Sequence, residues 1–352
     1  MLNKLHIADM NTCNKLNAKL EYLDAFPRNF TPPCFSVTQD SVTYVYVIEH
    51  KDSFLIVNIE SSVEASYEIL WNRAVVLLKL YKLLRGYFPE FKSLSFYLKV
   101  NDNKEIKINL NDKCLHNMIH RYTTEDCYKK FDFYISLQNN FEEVFKNWAQ
   151  LNNNYGFSFD TFCGATSSYF MPKDISIALI IQLFEEIHVL YENTCRTQIK
   201  AINDQKTSLK NHIKKLIDND NSWIDSFTKE EVKNFICGSI KKYFKTEEGT
   251  LRACLRQAIS SYGDDIFEKE YKTKQPDDFH KLLVESRNRV FHVDGSKQNI
   301  LQDIEYTAYN MKLSILYRRI MTAKILPEFK YSTDVQRYYI KLIDKWVDQN
   351  SK

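Results

Sequence analysis

Apolar and polar residues alternate in several short stretches of the first part of the chain. Leu94, Phe96, Leu98 and Val100 are interleaved with Ser95, Tyr97 and Lys99. Ile106, Ile108 and Leu110 are interleaved with Lys107 and Asn109, and Phe131, Phe133, Ile135 and Leu137 repeat the pattern. A period of two puts each set on one face of a strand. Residues 43–48 and 54–59 are β-branched or aromatic runs and also read as strands. Between them, Leu70, Ala74, Leu77, Tyr81 and Leu84 recur every three or four residues. That spacing predicts a helix, stopped by Gly86 and then Pro89. A second helix is predicted over 141–151, ended by Asn152–Asn154 and Gly156.

Beyond this the pattern changes. From Lys173 to Leu326 the only proline is Pro276, and apolar residues recur at helical spacing. Pro172-Lys173-Asp174 opens a helix running through Ile187 and Tyr191. Thr228 and Glu231 form a capping-box pattern before 232–244. Pro276-Asp277-Asp278 opens a helix through Leu282, Leu283 and Val290. Leu301, Ile304, Ala308, Met311 and Ile315 mark another. Long helices with short links predict a bundle. The expected fold class is therefore α+β: a mixed α/β N-terminal domain over 1–165 and an all-α bundle over 166–352.

Composition narrows the function. The chain has 352 residues and a formal net charge of +3, so it is no polycation, although a local basic groove remains open. The seven glycines never stand in a G-x-G arrangement. Phosphate-cradling loops need clustered glycines, so a P-loop, a typical kinase or a dinucleotide-binding domain is not expected. The absence of G-x-S-x-G weakens an α/β-hydrolase reading. Eight scattered cysteines lack any C-x-x-C pair, Met1–Leu20 shows no signal-peptide core, and no apolar run is long enough to span a bilayer. A cytoplasmic protein with reduced thiols and no membrane partner is expected.

The stretch Ser286-Arg287-Asn288-Arg289-Val290-Phe291-His292 carries the candidate chemistry. The guanidinium of Arg287 presents a planar fork of donors suited to phosphate. His292 exchanges a proton near neutral pH. Asn288 and His292, four apart, share a helix face, so the amide is placed to orient the imidazole. Arg287 and His292, five apart, diverge by about 140° on an ideal helix. Convergence on one phosphate then requires a deformed helix or two facing copies of the chain. The plainer alternative is structural: Arg287 pairing with a surface carboxylate, and His292 an ordinary residue at a helix end.

Arg287-Asn288-x-x-x-His292, late in a helical bundle, resembles the R-x4–6-H signature of HEPN ribonucleases in its R-N-x-x-x-H form. The region from about Asp174 to Ile320 is similar to the ApeA-like HEPN branch found in bacterial antiviral defence. The resemblance implies metal-independent endoribonuclease activity with no cofactor, Arg287, Asn288 and His292 as catalytic residues, and a homodimer whose two motifs form one composite cleft. It also implies an RNA substrate and a role against phage, the N-terminal domain sensing a phage component or other trigger. The alternative is a non-catalytic HEPN-like module that binds nucleotides or proteins.

Between Arg196 and Arg256, thirteen Lys and Arg face eight Asp and Glu. Lys210, Lys214, Lys215, Arg252 and Arg256 are the RNA-binding candidates, by salt-sensitive attraction to phosphate. A solvated helix face is the alternative for any one lysine. Cys114, His116, His120 and Cys127 are the only metal-like cluster, but their spacing matches no zinc finger and no metal is expected. His188 reads as a core residue of an apolar helix. His280, on the motif's helix, is placed to line a cleft rim, and Glu185 and Glu186 to approach the motif.

Overall fold

The computed structural model describes residues 13–21, 34–51, 54–85, 91–101, 104–109, 140–167, 171–191, 195–219, 228–243, 250–292, 300–326 and 333–350. The strand expected over 131–137 and the Cys114–Cys127 cluster lie outside them. The fold is α+β. Six strands, β1 (Cys13–Glu21), β2 (Phe35–Gln39), β3 (Val42–Lys51), β4 (Phe54–Ala65), β5 (Phe91–Asn101) and β6 (Lys104–Asn109), form one antiparallel sheet of order β2-β3-β4-β1-β5-β6. The helix α1 (Tyr67–Arg85) interrupts the strands. It is followed by α2 (Phe141–Ser167), α3 (Lys173–Glu186), α4 (Cys195–Asn219), α5 (Lys229–Tyr243), α6 (Leu251–Tyr262), α7 (Glu268–Thr273), α8 (Pro276–His292), α9 (Asp303–Ile325) and α10 (Thr333–Asn350).

The chain divides into two compact units. One comprises residues 1–180 and 301–352, the other residues 181–300. This differs from the expected split at 165/166, because 166–180 and the last two helices pack with the N-terminal part. No local pattern announces that: the apolar stripe of α9 names a buried face but not the surface that covers it.

In the first unit the period-two pattern buries Tyr44, Tyr46 and Ile48 of β3, Val57 and Ile59 of β4, Leu16 and Ala18 of β1, and Leu94 and Phe96 of β5. β2 and β3 are joined by Asp40-Ser41, both at positive φ (51° and 66°). That geometry suits a two-residue hairpin, whose twist must match that of its strands. All five apolar residues that predicted α1 are buried, and so are Val75, Leu78, Leu80, Leu83, Lys79 and Lys82. The helix is enclosed nearly all round because it packs on the sheet through β1 and β4 and on α2 and α9 elsewhere.

The second predicted helix breaks where its end was expected, at Tyr155 (φ −128°, ψ 20°), but a further helical stretch continues from there to Ser167. The continuation persists because Phe159, Phe162, Cys163 and Ala165 bury a helical stripe, with Phe162 stacked on Tyr317 of α9 at 4.4 Å. Buried apolar area outweighs the weak helix propensity of an Asn-rich, Gly-containing segment. Trp148, fully buried, donates its indole N–H to the Val76 carbonyl of α1 at 2.7 Å and meets the ring of Phe159 edge-on at 4.9 Å. Arg318 of α9 donates to the carbonyls of Leu83 and Leu84, both at 2.6 Å, and so satisfies the open C-terminal end of α1. Lys312, buried on the same helix, pairs with Asp344 of α10 at 2.7 Å.

The second unit's described residues form helices joined by turns, with no strand among them. Its core includes Phe184, Ile187, Cys254, Leu255, Ala258, Ile259, Ile266, Phe267, Phe279, Leu282 and Leu283. The predicted capping box is present: Thr228 N–H donates to Glu231 Oε2 at 2.8 Å, and Glu231 N–H to Thr228 Oγ1 at 3.2 Å. No helix among the described residues is long and apolar enough to cross a membrane. The described cysteines, Cys13, Cys34, Cys163, Cys237 and Cys254, are free thiols.

Candidate functional site

Local sequence explains why α8 presents the motif at its end. Pro276 fits the first helical position, where its missing N–H costs nothing, and Asp277 and Asp278 place negative charge against the N-terminal dipole. Phe279, Leu282, Leu283 and Ser286 then bury one face, and the Ser286 hydroxyl donates to the Leu282 carbonyl at 2.8 Å. Burial of that face leaves Arg287 and Asn288 half-buried and Phe291 and His292 exposed on the final turns. His292 is the last helical residue.

The motif residues meet within one chain. Arg287 Nη1 donates to Asn288 Oδ1 at 2.9 Å and lies 3.4 Å from His292 Nε2. Arg287 Nη2 donates to Gln182 Oε1 of α3. The guanidinium lies 4.8 Å from the centre of the Phe291 ring, within cation–π range. This changes the expectation drawn from helical geometry. The separation of about 140° demands neither a distorted helix nor a second copy, because the long arginine stem reaches round to the terminal turn. A second difference concerns Asn288, whose amide oxygen engages Arg287 and so orients the guanidinium.

The contact to His292 requires Nε2 as an acceptor, leaving the hydrogen on Nδ1. The acceptor nitrogen of an exposed imidazole thus stands beside a fixed cation. The site extends into α3: Gln182 Nε2 donates to Glu185 Oε2 at 2.8 Å, so a carboxylate is linked to Arg287 through one amide. Glu185 and Glu186 are both exposed. Gln182 was missed in the sequence, where its only signal is a polar residue closing the apolar run Ile177–Ile181.

The other candidates separate. Lys210, Lys214 and Lys215 lie on α4, which packs on α5. Among the described residues, no hydrogen bond or ion pair joins them to the Arg287 cluster. Arg252 and Arg256 lie on α6 and face Asp277 at the other end of α8. His188 falls outside the apolar helix, in a short 3-10 turn, with Nδ1 at 2.5 Å from the Glu185 carbonyl oxygen. Among the described residues no group of three or more His, Cys, Asp and Glu is placed to hold a metal ion.

His280 does not line a rim. It is 1% exposed, its Nε2 lies 3.0 Å from the Tyr271 hydroxyl, and its Nδ1 is buried without a hydrogen-bond partner. Burial pushes its imidazole down to about 4; Arg256 and Arg252 add to the effect and Asp277 opposes it. The unfolded chain, with an ordinary histidine near 6.5, takes up a proton that the folded chain refuses. Stability should therefore be complete above pH ~6.5 and fall by up to roughly 3 kcal/mol as the pH drops toward 4. Urea denaturation of the protein and of His280→Gln across this range checks it. The variant should lose that part of the pH slope, and equal slopes would refute the assignment.

Comparison of the chain with protein-family models, with curated proteins and with solved structures finds no match.

Proposed function

We propose that the chain is a metal-independent endoribonuclease of the HEPN type, acting against phage as a homodimer. The observation that supports the reading best is the meeting of Arg287 and His292, 3.4 Å apart at the open end of α8. In this chemistry the ribose 2′-OH attacks the adjacent phosphorus, the bond from phosphorus to the 5′-oxygen breaks, and a 2′,3′-cyclic phosphate and a 5′-OH result. As substrate draws the Arg287 N–H to its phosphate, His292 Nε2 is released from that contact and takes the 2′-OH proton as general base, a contribution of about 10²–10⁴-fold. Arg287, held by Asn288 and Gln182, stabilises the charge that builds on the non-bridging oxygens of the transition state.

The leaving 5′-oxygen needs a proton as well, and one motif offers a single imidazole. A second copy of the chain, bringing its own His292 to the same cleft, supplies that group. The dimer thus serves proton transfer, since each chain joins its arginine and histidine alone. The unit containing the sheet, in this reading, senses the infection trigger and restrains the nuclease.

The test is incubation of the purified protein with a labelled single-stranded RNA and its 2′-deoxy counterpart, with and without EDTA. Cleavage of the ribose strand alone, unaffected by EDTA and leaving cyclic-phosphate ends, is expected. Loss of activity in EDTA, or cutting of the deoxy strand, would overturn the mechanism. Binding without cutting would point to the non-catalytic module instead.

A further inference from the structure

The ring of Phe291 ends a row of side chains that begins in the core. His280, Arg287 and Phe291 are seven and then four residues apart, so on an ideal helix all three fall within about 40° of one another around the axis. The row is buried at His280, half-buried at Arg287 and open at Phe291, which is 40% exposed. A single exposed apolar side chain is ordinary in itself. The neighbours of this one are not.

The guanidinium of Arg287 touches two rings at once. It lies 4.8 Å from the centre of the Phe291 ring, and its Nη1 is 3.4 Å from His292 Nε2. Hydrogen bonds to Asn288 Oδ1 and Gln182 Oε1 hold it there. A partly open aromatic ring is therefore fixed beside the cation that the ribonuclease reading sets against a phosphate. A nucleotide strand matches that pair of groups, because each phosphate is joined through one ribose to a flat base. A phosphate drawn to Arg287 brings a base within reach of Phe291. Stacking of a base on an aromatic side chain tolerates any sequence, since every base has a π-face. In a duplex those faces are covered by the neighbouring pairs, so only an unpaired base can be laid on the ring. A protein surface matches less well. Burying the ring under it would also bury the guanidinium in contact with the ring, and removing that charge from water is costly.

We infer that Phe291 is a base-stacking residue. It holds an unpaired nucleobase next to the phosphate at Arg287 and His292, and so restricts the site to unpaired RNA of any sequence. The inference deepens the ribonuclease reading and rests on it for the identity of the strand.

The experiment measures binding to the full chain of a fluorescent 12-nucleotide strand of mixed sequence with 2′-O-methyl riboses, which no 2′-OH attack can cut. Two further ligands carry the same phosphates: the same backbone with every base removed, and the first strand annealed to its complement. Phe291→Leu, which keeps apolar bulk but has no π-face, should weaken the first strand about tenfold. It should leave the abasic and duplex ligands unchanged. Phe291→Trp should bind the first strand at least as well as the unmodified chain. An equal loss on the abasic strand would mean that the ring only props Arg287, and overturns the inference. Unchanged affinity of Phe291→Leu for the first strand overturns it too, as does an unmodified chain that binds none of the three. A loss of dimer in sedimentation, with both single strands weakened together, assigns the ring to a contact between copies instead. Cleavage of ordinary RNA is read separately. If stacking is seen but no RNA is cut, the inference stands and the nuclease assignment falls. If RNA is cut but the bases make no difference to Phe291→Leu, the nuclease stands and the stacking falls.

Discussion

Alanine in place of Arg287 or of His292 is expected to reduce the rate of RNA cleavage by about 10²–10⁴-fold, with the fold intact. His292 is exposed and Arg287 half-buried, so neither truncation opens a core cavity. In the proposed mechanism, removing the imidazole eliminates the group that accepts the 2′-OH proton. Removing the guanidinium eliminates the charge that the proposed mechanism sets against the phosphate, and releases Asn288 and Gln182 from their shared partner. Arg287→Lys keeps the charge but loses the planar fork, and should recover little of the activity. Because the two groups act on one transition state, the double variant should be hardly slower than the worse single one. Gel analysis of a defined RNA beside far-UV circular dichroism checks the set. Wild-type rates in both single variants would remove the motif from the chemistry.

The largest expected change in stability is at Trp148. Trp148→Ala should destabilise the unit containing the sheet by about 3–5 kcal/mol, the range for emptying a buried aromatic site. The indole is fully buried, packs edge-on against Phe159 and ties α2 to α1 through the Val76 carbonyl. Trp148→Phe separates the contributions. It retains most of the apolar contact but leaves the Val76 carbonyl without the indole donor, for a cost of about 1–3 kcal/mol. Urea unfolding followed by circular dichroism measures both. A two-unit chain need not unfold in a single step, so the loss should appear in one transition and spare the one reporting residues 181–300.

Patterns that repeat along the chain were legible as the faces most certain to be covered. The alternation in β5 names Leu94 and Phe96 and the 3–4 spacing in α1 names five residues, and the structure buries all of these, together with Ser95 of β5 and Lys79 and Lys82 of α1, which no pattern named. The Thr228 and Glu231 capping box closes locally, through contacts three residues apart, so it needs nothing from the rest of the fold. The expected strands do not include β1. Leu16, Ala18 and Leu20 do alternate with Lys15, Asn17, Lys19 and Glu21, but the run has no β-branched or aromatic residue. The strand nevertheless lies near the sheet's centre, between β4 and β5. Its place is set by main-chain bonds to two neighbours, to which side-chain pattern is blind.

At the candidate site, the sequence by itself determined the motif and its helix: Pro276 and the acidic first turn open α8, and Arg287, Asn288 and His292 fall on its last turns. It could not place Gln182, which is 105 residues from Arg287 along the chain. Nor could it show that an arginine stem closes the angular gap to His292, or that α9 and α10 join the unit with the sheet. Periodicity records which face of an element avoids water. Which surface then covers that face depends on long-range packing and side-chain reach, and these exist only once the chain has folded.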